Sequence, residues 1–277
     1  MVLMVRTLIT VAPTGAEAHK AEVPALPVTL GELVQAAKEC EAAGAAVIHV
    51  HIRDAHARPT LDPVRLRDTV AALRESTNLI VQLSSGGAIT DPYEHRLRVL
   101  DAEPDACSLT CGTVNFGDDV FMNPWPFMAE LYQRTQAAEV VPEFELFDLG
   151  QVASLHRLLG KYGPPYGGHV HCDLVMGVPG GMPGDARTLV AAVEALPEGA
   201  TWSATGIGRT TLPVMCAALS AGGHLRVGME DTLTYAKGQP VTANAQLVER
   251  ATMMTRIAQR EPMSPDEARS FLGVKDR

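Results

Sequence analysis

Eight short runs rich in Val, Ile and Thr alternate along this chain with stretches whose apolar residues recur at the helical period. The runs are Thr7 to Val11, Ala46 to Ile52, Leu79 to Leu83, Ala106 to Thr110, Glu139 to Phe147, His169 to Met176, Ala200 to Thr205 and Leu225 to Met229. Helices are expected over Thr29 to Ala43, from Asp62-Pro63, from Asp91-Pro92, and over Pro124 to Thr135, Leu149 to Leu159, Ala186 to Ala195, Thr211 to Ser220 and Asn244 to Gln259. Thr29 and Gly44 suit the two caps of the first helix, and Pro63 suits a first helical position. A strand that is always followed by a helix must run parallel to the next strand, and eight such units are the number that closes into a barrel. An open doubly wound sheet is the competing architecture, but Val11-Ala-Pro-Thr-Gly15 after the first strand is not its GxGxxG phosphate fingerprint. The expectation is therefore α/β, a (β/α)8 TIM barrel. Residues 1–277 form one catalytic domain in this reading, and Pro265 to Phe271 is an added C-terminal helix.

Composition excludes several classes of function. A hydrophobic content of 46% supports a large core, and no apolar run approaches the roughly 18 residues that cross a bilayer. The N-terminus lacks the basic and long apolar regions of a signal peptide. The five cysteines are odd in number, scattered and without a CxxC pair, which suits a reducing compartment and buried small side chains. The expected location is the cytoplasm, with no membrane partner. A formal net charge of -9 repels polyanions, so nucleic acid is not an expected partner, and an anionic ligand would need a local cationic pocket.

Active sites of such barrels lie at the carboxyl ends of the strands. In Val47-Ile-His49-Val-His51-Ile-Arg53-Asp54 the two histidines share a strand face, about 6.5 to 7 Å apart, near the strand end. That spacing lets two imidazoles grip one metal ion; satisfied core histidines are the alternative. The eighth run supplies Arg226 and Glu230 on one face, with Glu230 at the rim next to strand one and near strand two. Two histidines and a carboxylate leave coordination positions open, which is the catalytic rather than the structural zinc arrangement. A rim carboxylate paired with Arg226 is the plainer reading of Glu230. A second pair, His169 and His171, lies about 15 Å below the end of strand six at about 3.3 Å per residue, and reads as core or lower face.

Other strand ends carry small polar groups. Ser84-Ser85-Gly86-Gly87 frees backbone N–H groups beside a hydroxyl and can cradle a carboxylate, and Ser108 and Thr110 share a face on strand four. Glu143 and Glu145 share a face on strand five, as a structural ion pair or as catalytic acids. The Gly-rich segment 176–184 after strand six is too long for a simple connection. Gly206-Ile-Gly208-Arg209 follows strand seven, where barrels often bind phosphate at a helix start, although the GK[ST] of a Walker loop is absent.

Taken in order, the stretches Thr14-Gly-Ala-Glu17, Val47-Ile-His-Val-His-Ile-Arg53, Gln82-Leu-Ser-Ser-Gly-Gly87, Gly112-Thr-Val-Asn-Phe-Gly-Asp-Asp119, Gly177-Val-Pro-Gly-Gly-Met182, Gly206-Ile-Gly-Arg209, Gly222-Gly-His-Leu-Arg-Val-Gly-Met-Glu-Asp231 and Asn244-Ala-Gln246 resemble the β-keto acid cleavage enzymes over nearly the whole chain. The resemblance implies a zinc-dependent barrel that condenses a β-keto acid with acetyl-CoA and breaks a carbon–carbon bond, giving acetoacetate and a new acyl-CoA. It implies His49, His51 and Glu230 as zinc ligands, and Ser84, Gly87, Ser108 and Thr110 around the keto acid. Ser108 and Thr110 stand where the family carries a Thr and an Asn, which leaves the carboxylate contacts open. Asp231 and Arg226 correspond to the proton-handling pair, Glu143 to a further acidic group, and Glu17 to the position that reads an amino-bearing substrate. Gly206, Gly208 and Arg209 are the candidate cofactor-binding residues for acetyl-CoA. A homotetramer is the implied assembly.

The residue chemistry fits this independently, because a proton next to a ketone leaves only if the developing oxyanion is stabilised, as a metal with open positions does. Asp231 can then take the proton, with Arg226 steadying negative charge. Two other classes stay open: a metal-dependent amidohydrolase-like hydrolase, which also uses HxH, and a non-catalytic ligand-binding barrel.

Overall fold

The computed structural model describes residues 6–275; the ends of the expected 1–277 domain lie outside the described residues. Eight strands form a closed barrel: β1 (Ile9–Val11), β2 (Val47–Val50), β3 (Ile80–Leu83), β4 (Ala106–Thr110), β5 (Val141–Leu146), β6 (His171–Met176), β7 (Thr201–Gly206) and β8 (His224–Val227). Each pairs in parallel with its sequence neighbour, and β8 closes on β1. The helices are α1 (Leu30–Ala43), α2 (Pro63–Ser76), α3 (Tyr93–Leu97), α4 (Trp125–Ala138), α5 (Leu149–Tyr162), α6 (Ala186–Ala195), α7 (Thr211–Ser220), α8 (Asn244–Ile257) and α9 (Pro265–Leu272). The (β/α)8 expectation is met, added C-terminal helix included. Among the described residues no helix is long and apolar enough to cross a membrane.

Local chemistry sets the element ends. Thr29 and Glu32 form a reciprocal capping box before α1, and Asp62, Asp148 and Asp185 accept from the free N–H groups of α2, α5 and α6. The fifth strand starts at Val141 rather than Glu139, because Glu139 closes α4 in the left-handed conformation at φ 56°. The first run divides: Arg6 and Thr7 pair with Glu261 and Pro262 below the barrel, and only Ile9–Val11 joins it. The helix expected from Asp91 shrinks to α3 and a 3-10 turn over Arg98–Ala102. Arg96 explains that region, since its buried guanidinium donates to Ser85 O at 2.8 Å, Met122 O at 2.8 Å and Asn123 Oδ1 at 2.5 Å. It thereby fixes the turn that follows β3.

The apolar residues lie in three bodies. A large core fills the space between barrel and helices. A second, with Leu8, Val47, Ile80, Val141 and Leu272, seals the lower end beneath α9. The third, with Val114, Phe121, Phe147, Val175 and Val178, stands at the upper end. Inside the barrel the buried residues are largely polar, including Gln82, Ser108, Glu143, Glu145, Asp173, Ser203 and Arg226. Barrel interiors are ordinarily filled by branched apolar side chains, so this many buried charges marks a site.

Candidate active site

Strand alternation sends His49, on β2, and His51, just beyond it, to the same side, with ring centroids 5.3 Å apart. Glu230 arrives from beyond β8, its Oε1 3.8 Å from His49 Nε2 and 3.7 Å from His51 Nε2. One donor atom from each residue falls within 4.8 Å of the others, the only such His/Cys/Asp/Glu group among the described residues. Gly15 lets the first loop pass over this corner: its φ is +63°, and a Cβ there would meet Glu230 Cγ at 2.7 Å.

The protonation states suit a cation. Burial pushes both imidazoles down, His51 to about 4, so their nitrogens keep free lone pairs. Gln82, the register partner of His49 on β3, places Oε1 2.5 Å from His49 Nδ1. An amide oxygen only accepts, so Nδ1 carries the hydrogen and Nε2 faces Glu230 as a base. Burial opposes charge on Glu230, but the Arg226 guanidinium and then the two imidazoles hold its carboxyl down at about 2. Its buried Oε2 has no hydrogen-bond partner. Two neutral imidazoles and one carboxylate with a spare oxygen form a fitting donor set for zinc.

Arg226 rises through the barrel into four carboxylates. Its Nη2 lies 2.5 Å from Glu230 Oε1 and 3.0 Å from Asp231 Oδ1, and its Nη1 lies 3.2 Å from Glu145 Oε1 and 3.8 Å from Asp173 Oδ2. Burial works against its charge, but Asp231 and the other carboxylates raise its pKa well above the ordinary value. One guanidinium cannot balance them all. Burial raises Asp231 to about 7 despite Arg226, Asp173 to about 6, and Glu143, with Asp173 adding, to about 8. The centre thus holds surplus negative charge and a carboxyl that titrates near neutrality.

Above this centre opens a cavity of about 260 Å³, lined by His49, His51, Arg226, Glu230, Asp231, Glu145, Ser84, Gly86, Gly87 and Glu17 and by an apolar wall. Its size lies below the roughly 300–1,000 Å³ of drug-sized sites, so it suits a small molecule. An adjoining cavity of about 900 Å³ shares Glu17, Ala18, Ile207, Glu230 and Asp231 with it and adds Gly208, Arg209, Tyr235 and Lys237.

Most of the residues singled out from the sequence meet here, but not all. Ser84 Oγ accepts from Gly86 N at 3.1 Å, and Ser84 and Gly87 face the cavity. Ser108 and Thr110 stand behind its wall: Ser108 O accepts from Ser85 Oγ at 2.6 Å, and Thr110 Oγ1 donates to Glu145 Oε2 at 2.7 Å. Glu143 lies deeper, 3.6 Å from His171 Nε2, with Oε1 unpartnered. Glu17 is exposed at the mouth. Gly206 is packed against Thr210 and does not line either cavity, whereas Gly208 and Arg209 line the adjoining one. The lower-face reading of the second HxH pair agrees with the structure, where His169, His171 and His224 surround Phe271 of α9. Sequence reasoning missed Gln82, Asp173 and Arg96 and gave Glu145 no role apart from Glu143. Two signals were present: Gln82 points with His49 across the β2–β3 pair, and Glu145 is two residues nearer the active rim than Glu143.

Residues 6–274 match the family model for beta-keto acid cleavage enzyme. The chain is 37% identical over 277 residues to a 3-keto-5-aminohexanoate cleavage enzyme of Fusobacterium nucleatum, covering 99% of this chain and 100% of that one. It is 32% identical over 273 residues to a 3-oxoadipate:acetyl-CoA acetyltransferase of Cupriavidus necator, covering 96% and 94%. Among solved structures the apo form of ObcA superposes with a TM-score of 0.75 at 20% identity, over 91% of this chain and 66% of that one, a likeness of fold. With a closed barrel, three residues at its rim that could hold a metal and matches that run end to end, the chain belongs to the β-keto acid cleavage enzyme family.

Proposed function

We propose that this chain is a zinc-dependent acyltransferase that exchanges acyl groups between a β-keto acid and acetyl-CoA, releasing acetoacetate and a new acyl-CoA. The observation that carries the reading is the juxtaposition of His49, His51 and Glu230 with Asp231, all opening on one small cavity. His49, His51 and Glu230 would hold the metal. When bound, it supplies Lewis-acid stabilisation of negative charge on the ketone and carboxylate oxygens of the substrate.

The chain's own groups do the rest. Ser84 and the backbone at Gly87 cradle the substrate carboxylate from one side, and Ser108 and Thr110 support that turn and Glu145 from behind. Asp231, raised to about 7, takes the C2 proton as general base. Arg226 orients Asp231 and balances charge around it, while Glu143 and Glu145 complete the acidic surround. The C2 carbanion attacks the thioester carbonyl of acetyl-CoA and expels CoA thiolate. The thiolate adds to the original keto carbon, the C2–C3 bond breaks to give the new thioester, and Asp231 returns its proton to C2 of acetoacetate. The adjoining cavity admits acetyl-CoA, with Gly206 keeping the turn tight and Gly208 and Arg209 meeting its phosphates at the mouth. Glu17, bordering both cavities, meets ligands at the entrance.

The hydrolase alternative gains no support, because its extra ligands would come from His169 and His171, and these bond to Thr201 and Ser203 at the barrel floor. The proposal extends to a cytoplasmic homotetramer of single-domain chains, which light scattering tests. The decisive experiment incubates zinc-loaded protein with acetyl-CoA and 3-oxo acids. Acetoacetate and new acyl-CoA should appear in equal amounts, vanish on chelation and return with zinc. Turnover of keto acid without a CoA ester would contradict the reading.

A further inference from the structure

We infer that the β-keto acid taken by this cavity carries a short, uncharged, apolar substituent on its keto carbon. The inference rests on the acyl-exchange reading and adds its substrate class. Across from the metal-ligating corner, the cavity is walled by Ile89, Phe116, Phe121, Phe147, Val175 and Val178, with Ile207 closing the side towards the adjoining cavity. These side chains form one apolar cluster, the third core body, and Phe116 packs edge-on against Phe121 and Phe147 with ring centroids 6.3 and 6.2 Å apart. A substrate whose carboxylate and ketone occupy the Ser84, Gly87 and His49 side must turn its substituent towards this wall.

The wall is built rather than loosely collapsed. Phe116 and Phe121 sit on an antiparallel hairpin, Val114–Phe116 with Asp119–Phe121, which is fastened to the Gly-rich loop after β6 by Gly117 N donating to Pro179 O at 3.0 Å. Met182 N donates to Phe147 O at 2.7 Å from the other side of that loop. Gly180, at φ +98°, comes so close to the hairpin that a Cβ would lie 2.3 Å from Asn115 O. Gly180 and Gly181 thereby form the clasp of the wall, whereas Gly177 and Gly184 pack against Thr210.

Charge on the substituent finds no partner. The basic side chains lining the cavity are Arg226, already shared among four carboxylates, and His49 and His51 on the metal-ligating side, so a second carboxylate would be buried unpaired. The other carboxylates lining the cavity, Glu145, Glu230 and Asp231, stand with Arg226 on the metal-ligating side, so a cationic substituent turned towards the apolar wall could reach only Glu17, exposed at the mouth. Beside it, Arg53 donates to Gly15 O at 2.6 Å and Ala18 O at 3.1 Å, and its positive charge opposes an ammonium there.

Three six-carbon acids test this at equal length: 3-oxohexanoate, 5-amino-3-oxohexanoate and 3-oxoadipate, each with acetyl-CoA and zinc-loaded protein. The kcat/KM for 3-oxohexanoate should exceed each of the others at least about tenfold, the scale on which apolar pockets discriminate. Phe116→Arg, at a half-buried position, should shrink the ratio of 3-oxohexanoate to 3-oxoadipate; an unchanged ratio in a folded variant would place the substituent elsewhere. Preference for the amino acid or the diacid with acetoacetate still formed would overturn this inference and leave the acyl exchange standing. Absence of acetoacetate from all three would overturn the acyl exchange and this inference with it.

Discussion

Replacing Gln82 with Leu tests how the proposed metal corner is set up without touching His49, His51 or Glu230. His49 is 1% exposed, so no water can substitute for the Gln82 oxygen that receives its Nδ1 hydrogen at 2.5 Å. Leaving such a buried donor unpaired costs about 1–3 kcal/mol. The ring then escapes the penalty by rotating or by moving its hydrogen to Nε2, and either change removes a lone pair from the metal position. Removal of such outer partners weakens metal binding roughly 10–100-fold, or about 1.4–2.8 kcal/mol, so the two figures agree. Competition against a chromogenic chelator at constant pH reads the affinity directly. Gln82→Leu should lose zinc by that factor while keeping its unfolding midpoint near that of the native protein, and Gln82→Glu, which retains an acceptor, should lose less. A folded Gln82→Leu variant with native zinc affinity would show that Gln82 does not set the His49 ring.

Arg226→Met leaves Glu145, Asp173, Glu230 and Asp231 facing one another without a cation, and urea unfolding in the absence of metal should show a loss of about 3–5 kcal/mol; an unchanged midpoint would contradict the charge balance described. His224 is pushed from its ordinary 6.5 to about 3 by burial and then by Arg260. Below 6.5 the unfolded chain binds a proton that the folded chain refuses, so this residue makes stability fall on acidification towards 3, by up to about 1.4 kcal/mol per pH unit. Glu143, Asp173 and Asp231, raised by burial, act in the opposite sense in native protein and variant alike, so they cancel in a comparison. His224→Asn should therefore lose less stability than the native protein between pH 6.5 and 5 in urea titrations; equal slopes would refute it. Gly180→Val should drive the hairpin from its loop and raise KM for the keto acid more than KM for acetyl-CoA, with an equal rise in both as the contrary result.

The alternation of β-runs and helical periods made the barrel legible because each strand and helix carries its own local signal, down to the caps at Thr29 and Gly44 and the first-position Pro63. The His49, His51 and Glu230 group was legible for a related reason: strand parity orients side chains, and the closure of β8 on β1 brings segments far apart in sequence together. Depth was harder to read. Glu143 and Glu145 have the same parity, and only the stagger of neighbouring strands decides which reaches the cavity. Gln82 lies inside an otherwise apolar run and Asp173 follows two core histidines, and there a polar residue resembles an ordinary satisfied core group until its partner across the sheet is known. Arg96 was invisible because its role is to bridge two loops, and contacts between loops leave no periodic trace.

What most needs testing is that the His49, His51 and Glu230 corner and Asp231 work on a β-keto acid and acetyl-CoA together. Acetyl-CoA carrying 13C in both acetyl carbons, given with unlabelled 3-oxohexanoate to zinc-loaded protein, tests it by mass spectrometry and NMR. Joint action gives acetoacetate labelled at C3 and C4 alone, together with unlabelled hexanoate-derived acyl-CoA one acetate unit shorter, and neither product from Glu230→Gln. Labelled free acetate with unlabelled acetoacetate or none would contradict it.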